Sequence, residues 1–330
     1  MTTPPKYSTP TPSVSLTTLP ISGLLVDIHG LSELAPSATR ITCLWLHHPR
    51  GTTKARMVDI AARAVYEWNK SPSASRTGLI ALAWDQRNHG TRLIHEVSNE
   101  SWKKGNETHA QDMFGMVSGA VVDQGILLDA VGGYLFRERR DRVIDRHLAL
   151  GVSLGGHSVW QTIFREERVR AGVMVVACPD YMCLMEERAK RSKLATCQEG
   201  AFLGSRDFPP ELVAACEKFD PKALLFGTAP VGGTAEEARA ALEKKVGGRL
   251  DGKSFLICSG EDDKLVPYAR GKAFIEWFVN TAEPWRRDHD VSIENHVYAG
   301  VGHWFDEKMA IDAVRFIVSH VEDSVPSPRI

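Results

Sequence analysis

The sequence predicts a three-layer α/β fold: a mostly parallel sheet flanked by helices, with a helical cap inserted into the second half of the chain. Three observations carry this expectation. Short apolar runs bounded by polar, Gly or Pro residues recur along the chain, and helix-length amphipathic segments alternate with them. One long stretch of helical pattern interrupts that alternation, and no internal repeat is visible.

Taken in order, residues 1–20 are rich in Ser, Thr and Pro. They bury too little apolar surface to offset the entropy of ordering, and they read as a disordered N-terminal tail. The runs Gly23–Ile28, Ile41–His47, Leu79–Trp84, Leu148–Val152, Gly172–Ala177, Ser254–Ser259 and Val291–Tyr298 are strand candidates. The first helix candidate is Lys54–Asn69, where Met57, Ile60, Ala61, Ala64, Val65 and Trp68 form one apolar stripe at helical spacing. Others are Thr108–Phe136, Gly155–Glu167, Tyr268–Thr281 and Asp306–His320. The stretch 181–250 is mostly helical in pattern and lies between two strands that one short helix would otherwise join, so it reads as the cap. The domain plan is therefore a core of residues 21–180 and 251–322, a cap at 181–250 and a C-terminal tail at 323–330.

Composition narrows the function. With 43% hydrophobic and 25% charged residues, the 330-residue chain can bury a large core. Lys and Arg total 40 against 41 Asp and Glu, so no excess of positive charge exists to hold nucleic acid or an anionic membrane, and a neutral small-molecule partner fits better. The six cysteines (Cys43, Cys178, Cys183, Cys197, Cys216 and Cys258) have neither zinc-ligand nor disulfide-framework spacing and read as reduced thiols. His47, His48, His89, His95 and His109 lie in separate loops without ligand spacing, so no metal is expected. Nor is any cofactor. The N-terminus lacks a signal-peptide core and no later run reads as a membrane span, which gives a cytoplasmic expectation. Oligomeric state is not encoded legibly.

The chemistry-bearing segment is Leu148–Gly156, an apolar run ending in Gly151-Val152-Ser153-Leu154-Gly155 and leading into a helical pattern. This is the context of a nucleophile elbow, where a serine sits on a sharp strand-to-helix turn and small neighbours let the two elements approach. A serine hydroxyl needs a base, and the base needs an acidic partner. His303 stands in a Gly-containing loop after one strand candidate, and Asp263 in the loop after another, with Asp262 as its competitor. Taken singly, each residue has an ordinary reading: a turn serine, a surface imidazole, a helix N-cap. All three after strands and in the order Ser, Asp, His are far harder to explain as ordinary residues.

Together these segments resemble the α/β-hydrolase superfamily, whose acid loop often reads Gly-x-x-Asp-x-x-Val-Pro, as Gly260 to Pro267 does, and whose base loop reads Gly-His followed by an aromatic, as Gly302-His303-Trp304 does. Trp84-Asp85-Gln86-Arg87-Asn88-His89-Gly90 is similar to a turn that follows a strand in many members, with Asp85 and Arg87 expected to form a structural ion pair. The tail, the segment Pro179-Asp180-Tyr181 and this turn also resemble fungal members of the superfamily. The resemblance implies Ser153 as nucleophile, His303 as base and Asp263 as the acid that orients it. It further implies an oxyanion hole from two backbone N–H groups, those of Leu154 and of a residue in the loop Leu46-His47-His48-Pro49-Arg50-Gly51. Pro49 has no N–H, so the register that makes His48 the motif histidine and Arg50 the donor is preferred. Tyr181, Met182, Met185 and Phe202 at the start of the cap are the candidate substrate-binding residues.

The implied activity is carboxylesterase-like (EC 3.1), with thioester or lactone cleavage close to it. A serine peptidase or an acyltransferase on the same scaffold is the enzymatic alternative, and a low-turnover ligand-binding receptor the alternative of another class. A prolyl-oligopeptidase-type peptidase would need a large N-terminal propeller, for which the chain has no room.

Overall fold

The computed structural model describes residues 7–198 and 200–322. The apolar runs become β1 (Leu16–Ile21), β2 (Leu24–His29), β3 (Arg40–His47), β4 (Thr77–Trp84), β5 (Val143–Val152), β6 (Val169–Val175), β7 (Ser254–Gly260) and β8 (Ser292–Tyr298). They form one sheet in the order β1-β2-β4-β3-β5-β6-β7-β8. The β1–β2 and β2–β4 pairs are antiparallel and every other neighbouring pair is parallel. Central strands β3 and β4 are buried almost throughout, as expected where helices cover both faces.

The helices are α1 (Val58–Trp68), α2 (His109–Leu135), α3 (Leu154–Arg165), α4 (Tyr181–Ser192), α5 (Ala195–Gln198), α6 (Pro210–Phe219), α7 (Pro221–Phe226), α8 (Ala235–Lys245), α9 (Tyr268–Glu276), α10 (Glu283–Asp288) and α11 (Glu307–Glu322). One face of the sheet packs on α1 and α11 through Met57, Trp68, Met309 and Phe316. The other face carries a larger cluster with Trp45, Trp84, Trp160, Phe164, Phe255 and Phe278. Helix α2 is long and apolar enough, by length and composition, to cross a membrane, which the reading of the sequence overlooked because its glycines and aspartates break the run. It buries Val117, Ala120, Leu127 and Val131.

Two expectations are corrected here. Residues 7–20 are not a disordered tail. Leu16–Ile21 pairs along its length with β2, and the segment before it is tied down by side chains: Ser8 N–H donates to Glu307 at 2.7 Å, and Arg63 donates to the Thr9 hydroxyl at 2.9 Å. The stretch 181–250 is also not one cap. Ala238, Leu242, Val246 and Leu250 join the main core cluster beside Trp160 and Phe255, so α8 is a layer helix. Only the α4 to α6 segment packs as an addition, through a third cluster shared with α2, while α7 bridges the two: Ala223 joins that cluster and Leu224, Leu225 and Phe226 pack against the main core. The 323–330 tail lies outside the described residues.

Candidate active site

Strand β5 delivers Ser153 into a turn with φ 54° and ψ −113°. A non-glycine residue there costs on the order of 1–3 kcal/mol and persists only when its surroundings over-determine it. Here they do. Ser153 N–H donates to Val175 O at 2.9 Å, and the His157 N–H and Nδ1 donate back to Ser153 O at 3.0 and 2.7 Å. The flanking glycines permit the crossing: a Cβ on Gly151 would stand 2.1 Å from Gly155 O, and one on Gly155 would stand 2.1 Å from His47 O.

The structure brings the three predicted side chains together across 150 residues of sequence. Ser153 Oγ is 2.8 Å from His303 Nε2, and His303 Nδ1 is 2.7 Å from Asp263 Oδ2. The other carboxylate oxygen, Oδ1, accepts the N–H groups of Leu265 and Val266, both at 2.8 Å. One carboxylate thus holds both the imidazole and its own loop. Asp262 is exposed, and its N–H donates to Val301 O at 2.9 Å, so it lies beside the contact without entering it.

Around the serine, the loop after β3 and the turn after β4 are knitted together. Gln86 N–H donates to His48 Nε2 at 3.0 Å, and Gly51 N–H donates to His89 Nε2 at 2.9 Å. Burial pushes the His48 imidazole down to about 4, so it stays neutral and can accept that bond. Among the described residues, neither the Arg50 nor the Leu154 N–H has an acceptor, whereas the neighbouring Gly51 N–H is already used. The expected ion pair of Asp85 with Arg87 is not formed. Asp85 accepts the Lys54 and Thr91 N–H groups at 2.9 Å each, and Arg87 pairs with Asp123 at 3.1 Å, because the turn aims the two side chains at different elements.

A cavity of about 440 Å³ holds Ser153 and His303. Its walls are not those anticipated. Tyr181, Met182, Met185 and Phe202 are buried in the cluster that fastens α4 to α2, and the Tyr181 hydroxyl donates to Ala110 O at 2.6 Å. The apolar face of α4 is used for attachment, which leaves those residues out of this cavity. Its walls are instead Pro49, Val152, Val176, Trp304 and Phe305, the α1 residues Ile60 and Arg63, and Tyr7, Thr9, Pro10 and Thr11 of the N-terminal segment. Val176, a β-branched residue held at φ 46°, is a second strained position beside the serine that nothing in the sequence marks. Among the described residues no group of three or more His, Cys, Asp or Glu side chains is placed to hold a metal ion.

No family model matches the sequence, and no curated protein matches it. Solved structures do share its fold. The chain is similar to TT1662 from Thermus thermophilus, at 17% identity over 95% of this chain and 100% of that one, with a TM-score of 0.59. It is also similar to a protein described as a dipeptidyl aminopeptidase IV from Bacteroides ovatus, at 12% identity over 95% of this chain and 36% of that one, with a TM-score of 0.53. A cold-adapted esterase from an Arctic intertidal metagenomic library aligns at 14% identity over 92% of each chain, with a TM-score of 0.47.

Proposed function

Because the chain has the α/β-hydrolase fold, we propose that it is a serine hydrolase that cleaves a carboxylic ester, thioester or lactone of a small molecule through an acyl-enzyme on Ser153. The carrying observation is the continuous line from Ser153 Oγ through His303 to Asp263, with heavy-atom separations of 2.8 and 2.7 Å. Such an arrangement lets His303 Nε2 take the serine proton as Oγ attacks the carbonyl carbon, while Asp263 stabilises the imidazolium that forms. The Leu154 N–H, at the first turn of α3, and the Arg50 N–H, unused in the loop after β3, would receive the developing oxyanion.

Collapse of the tetrahedral intermediate expels the alcohol or thiol, which takes its proton from His303 Nε2. Water, deprotonated by the same nitrogen, then attacks the acyl carbon and restores Ser153. A cavity of about 440 Å³ supports a small-molecule substrate. The six cysteines are all unbridged, which supports a reducing compartment such as the cytoplasm.

The test is direct. A fluorophosphonate probe should label Ser153 alone, and Ser153→Ala should lower turnover of p-nitrophenyl butyrate by about 10³-fold or more at unchanged thermal stability. Labelling at another residue, or near-normal turnover in the variant, would remove the basis for the proposal.

A further inference from the structure

Two arginines beside the candidate site lack the carboxylates that buried arginines ordinarily find. Helix α4 lies along the acid loop: the Arg191 guanidinium donates to Lys264 O, the residue after Asp263, and Glu187 faces Arg270 of α9 at 3.6 Å. One turn back from Arg191, Arg188 projects toward α2, where its Nη1 meets Met113 Sδ at 2.8 Å. Its Nε has no accessible surface and no hydrogen-bond partner. The residue as a whole is only half-buried. Arg50, also half-buried, sends its Nη1 to Asn99 O. No Asp or Glu oxygen lies within 4.0 Å of either guanidinium among the described residues.

The two cations flank the same stretch of chain: Arg50 meets Asn99 O, the next carbonyl, Glu100 O, lies 2.7 Å from His109 Nδ1, and Met113, which Arg188 meets, stands one helical turn on from His109. Each guanidinium bears on the buried His109, and burial together with those two charges pushes that imidazole down to about 3, so it adds no charge of its own. Glu100 and Asp263 act on Arg50 and Arg188 only from beyond ion-pair distance. A guanidinium stays charged at any working pH, and taking it from water without a counter-charge is unfavourable. Two of them placed on one stretch of chain without a carboxylate partner therefore favour an anion from elsewhere. The place is next to the chemistry: Met113, on which Arg188 rests, belongs to the same apolar cluster as Leu154, the residue after Ser153.

We propose that Arg188 and Arg50 bind an oxyanionic group of the substrate, a carboxylate or a phosphate, between α4 and the loop after β3. This rests on the hydrolase reading and narrows it to esters with a negative charge a few bonds from the scissile carbonyl. The planar forks of two guanidiniums match such a group, and the charge pairing would orient the ester before attack.

The experiment compares kcat/KM for mono-p-nitrophenyl succinate, glutarate and adipate with that for the corresponding methyl-capped diesters. For at least one chain length the charged ester should be preferred by about tenfold or more. That preference should fall toward unity in Arg188→Met and in Arg50→Met, and be partly kept in Arg188→Lys, which retains the charge but not the fork. A second measurement, independent of turnover, titrates glutarate and inorganic phosphate against Ser153→Ala and Arg188→Met by thermal shift. Stabilisation of Ser153→Ala that is lost in Arg188→Met supports the site even if no ester is hydrolysed, and its size for the two anions says whether a planar or a tetrahedral group is held. Hydrolysis without charge preference at any length, together with no anion-dependent shift, overturns the anion site and leaves the hydrolase reading standing.

Discussion

Replacing Asp263 by Asn tests the proposed catalytic line at its most discriminating point. The carboxylate is committed on both oxygens: Oδ1 accepts two backbone N–H groups and Oδ2 faces His303 Nδ1. An Asn side chain must keep its carbonyl oxygen toward Leu265 and Val266, because an amide NH2 there would oppose two donors. The NH2 is then forced toward His303 Nδ1, which becomes an acceptor, so the proton moves to Nε2, the nitrogen meant to take the serine proton. The fold loses little, while the base is held in the wrong tautomer. A loss of about 10⁴-fold in kcat is expected, equivalent to about 5.5 kcal/mol of transition-state stabilisation. Asp262→Asn changes an exposed side chain and should stay within about twofold. Steady-state kinetics on p-nitrophenyl butyrate, with thermal unfolding to confirm folding, decides the matter. Asp263→Asn retaining a tenth of the activity, or Asp262→Asn losing as much as its neighbour, would refute the reasoning.

Three further outcomes follow from other parts of the structure. In Gly155→Ala the new methyl meets His47 O at 2.1 Å, so destabilisation by about 3 kcal/mol or more is expected; a melting temperature within 2–3 °C of the parent would mean that the elbow is looser than it is drawn. Burial holds His47, His48 and His147 down to about 4 and His109 and His157 down to about 3, so all five stay neutral when folded and gain a proton on unfolding below pH 6.5. Their stability contribution is complete above pH 6.5 and drains as pH falls toward 4, by about 2 kcal/mol per imidazole at pH 5. Urea midpoints should therefore drop steeply between pH 7 and 5, and a flat profile would contradict the burial of these rings. Removing residues 1–13 takes away one wall of the cavity, and the kcat/KM ratio of a long-chain to an acetate ester should rise; an unchanged ratio would show that the segment does not touch substrate.

What was legible in the sequence was whatever is local. Periodicity located the strands from β2 to β8 within a few residues, and Ser153, Asp263 and His303 were marked by the short motifs around them. Strand β1 was hidden because its residues alternate weakly and include Pro20, which an edge strand tolerates. The roles of Met185 and Phe202 turned on which side of α4 and its neighbours faces α2, a question of packing that residue type does not answer. The same holds for α8, adjacent in sequence to the added helices yet built into the main core. Arg188 gave no signal at all, since a Lys- and Arg-rich helix normally reads as a solvated face, and only the missing carboxylates set it apart.

The contact of Ser8 with Glu307 joins positions 299 residues apart, and it helps to hold the segment whose Tyr7, Thr9, Pro10 and Thr11 wall the cavity at Ser153. During synthesis the segment that begins with Tyr7 emerges well before its docking partner on α11, from which 299 residues separate it. A nascent chain can therefore assemble β1 to β6 and the serine turn long before His303 and this wall exist. Closing so long a loop is entropically unfavourable until most of the sheet is in place. On this sequence of events Ser153 sits in its turn before His303 can reach it, and the proposed reactive centre is completed only after the β8 to α11 region has docked.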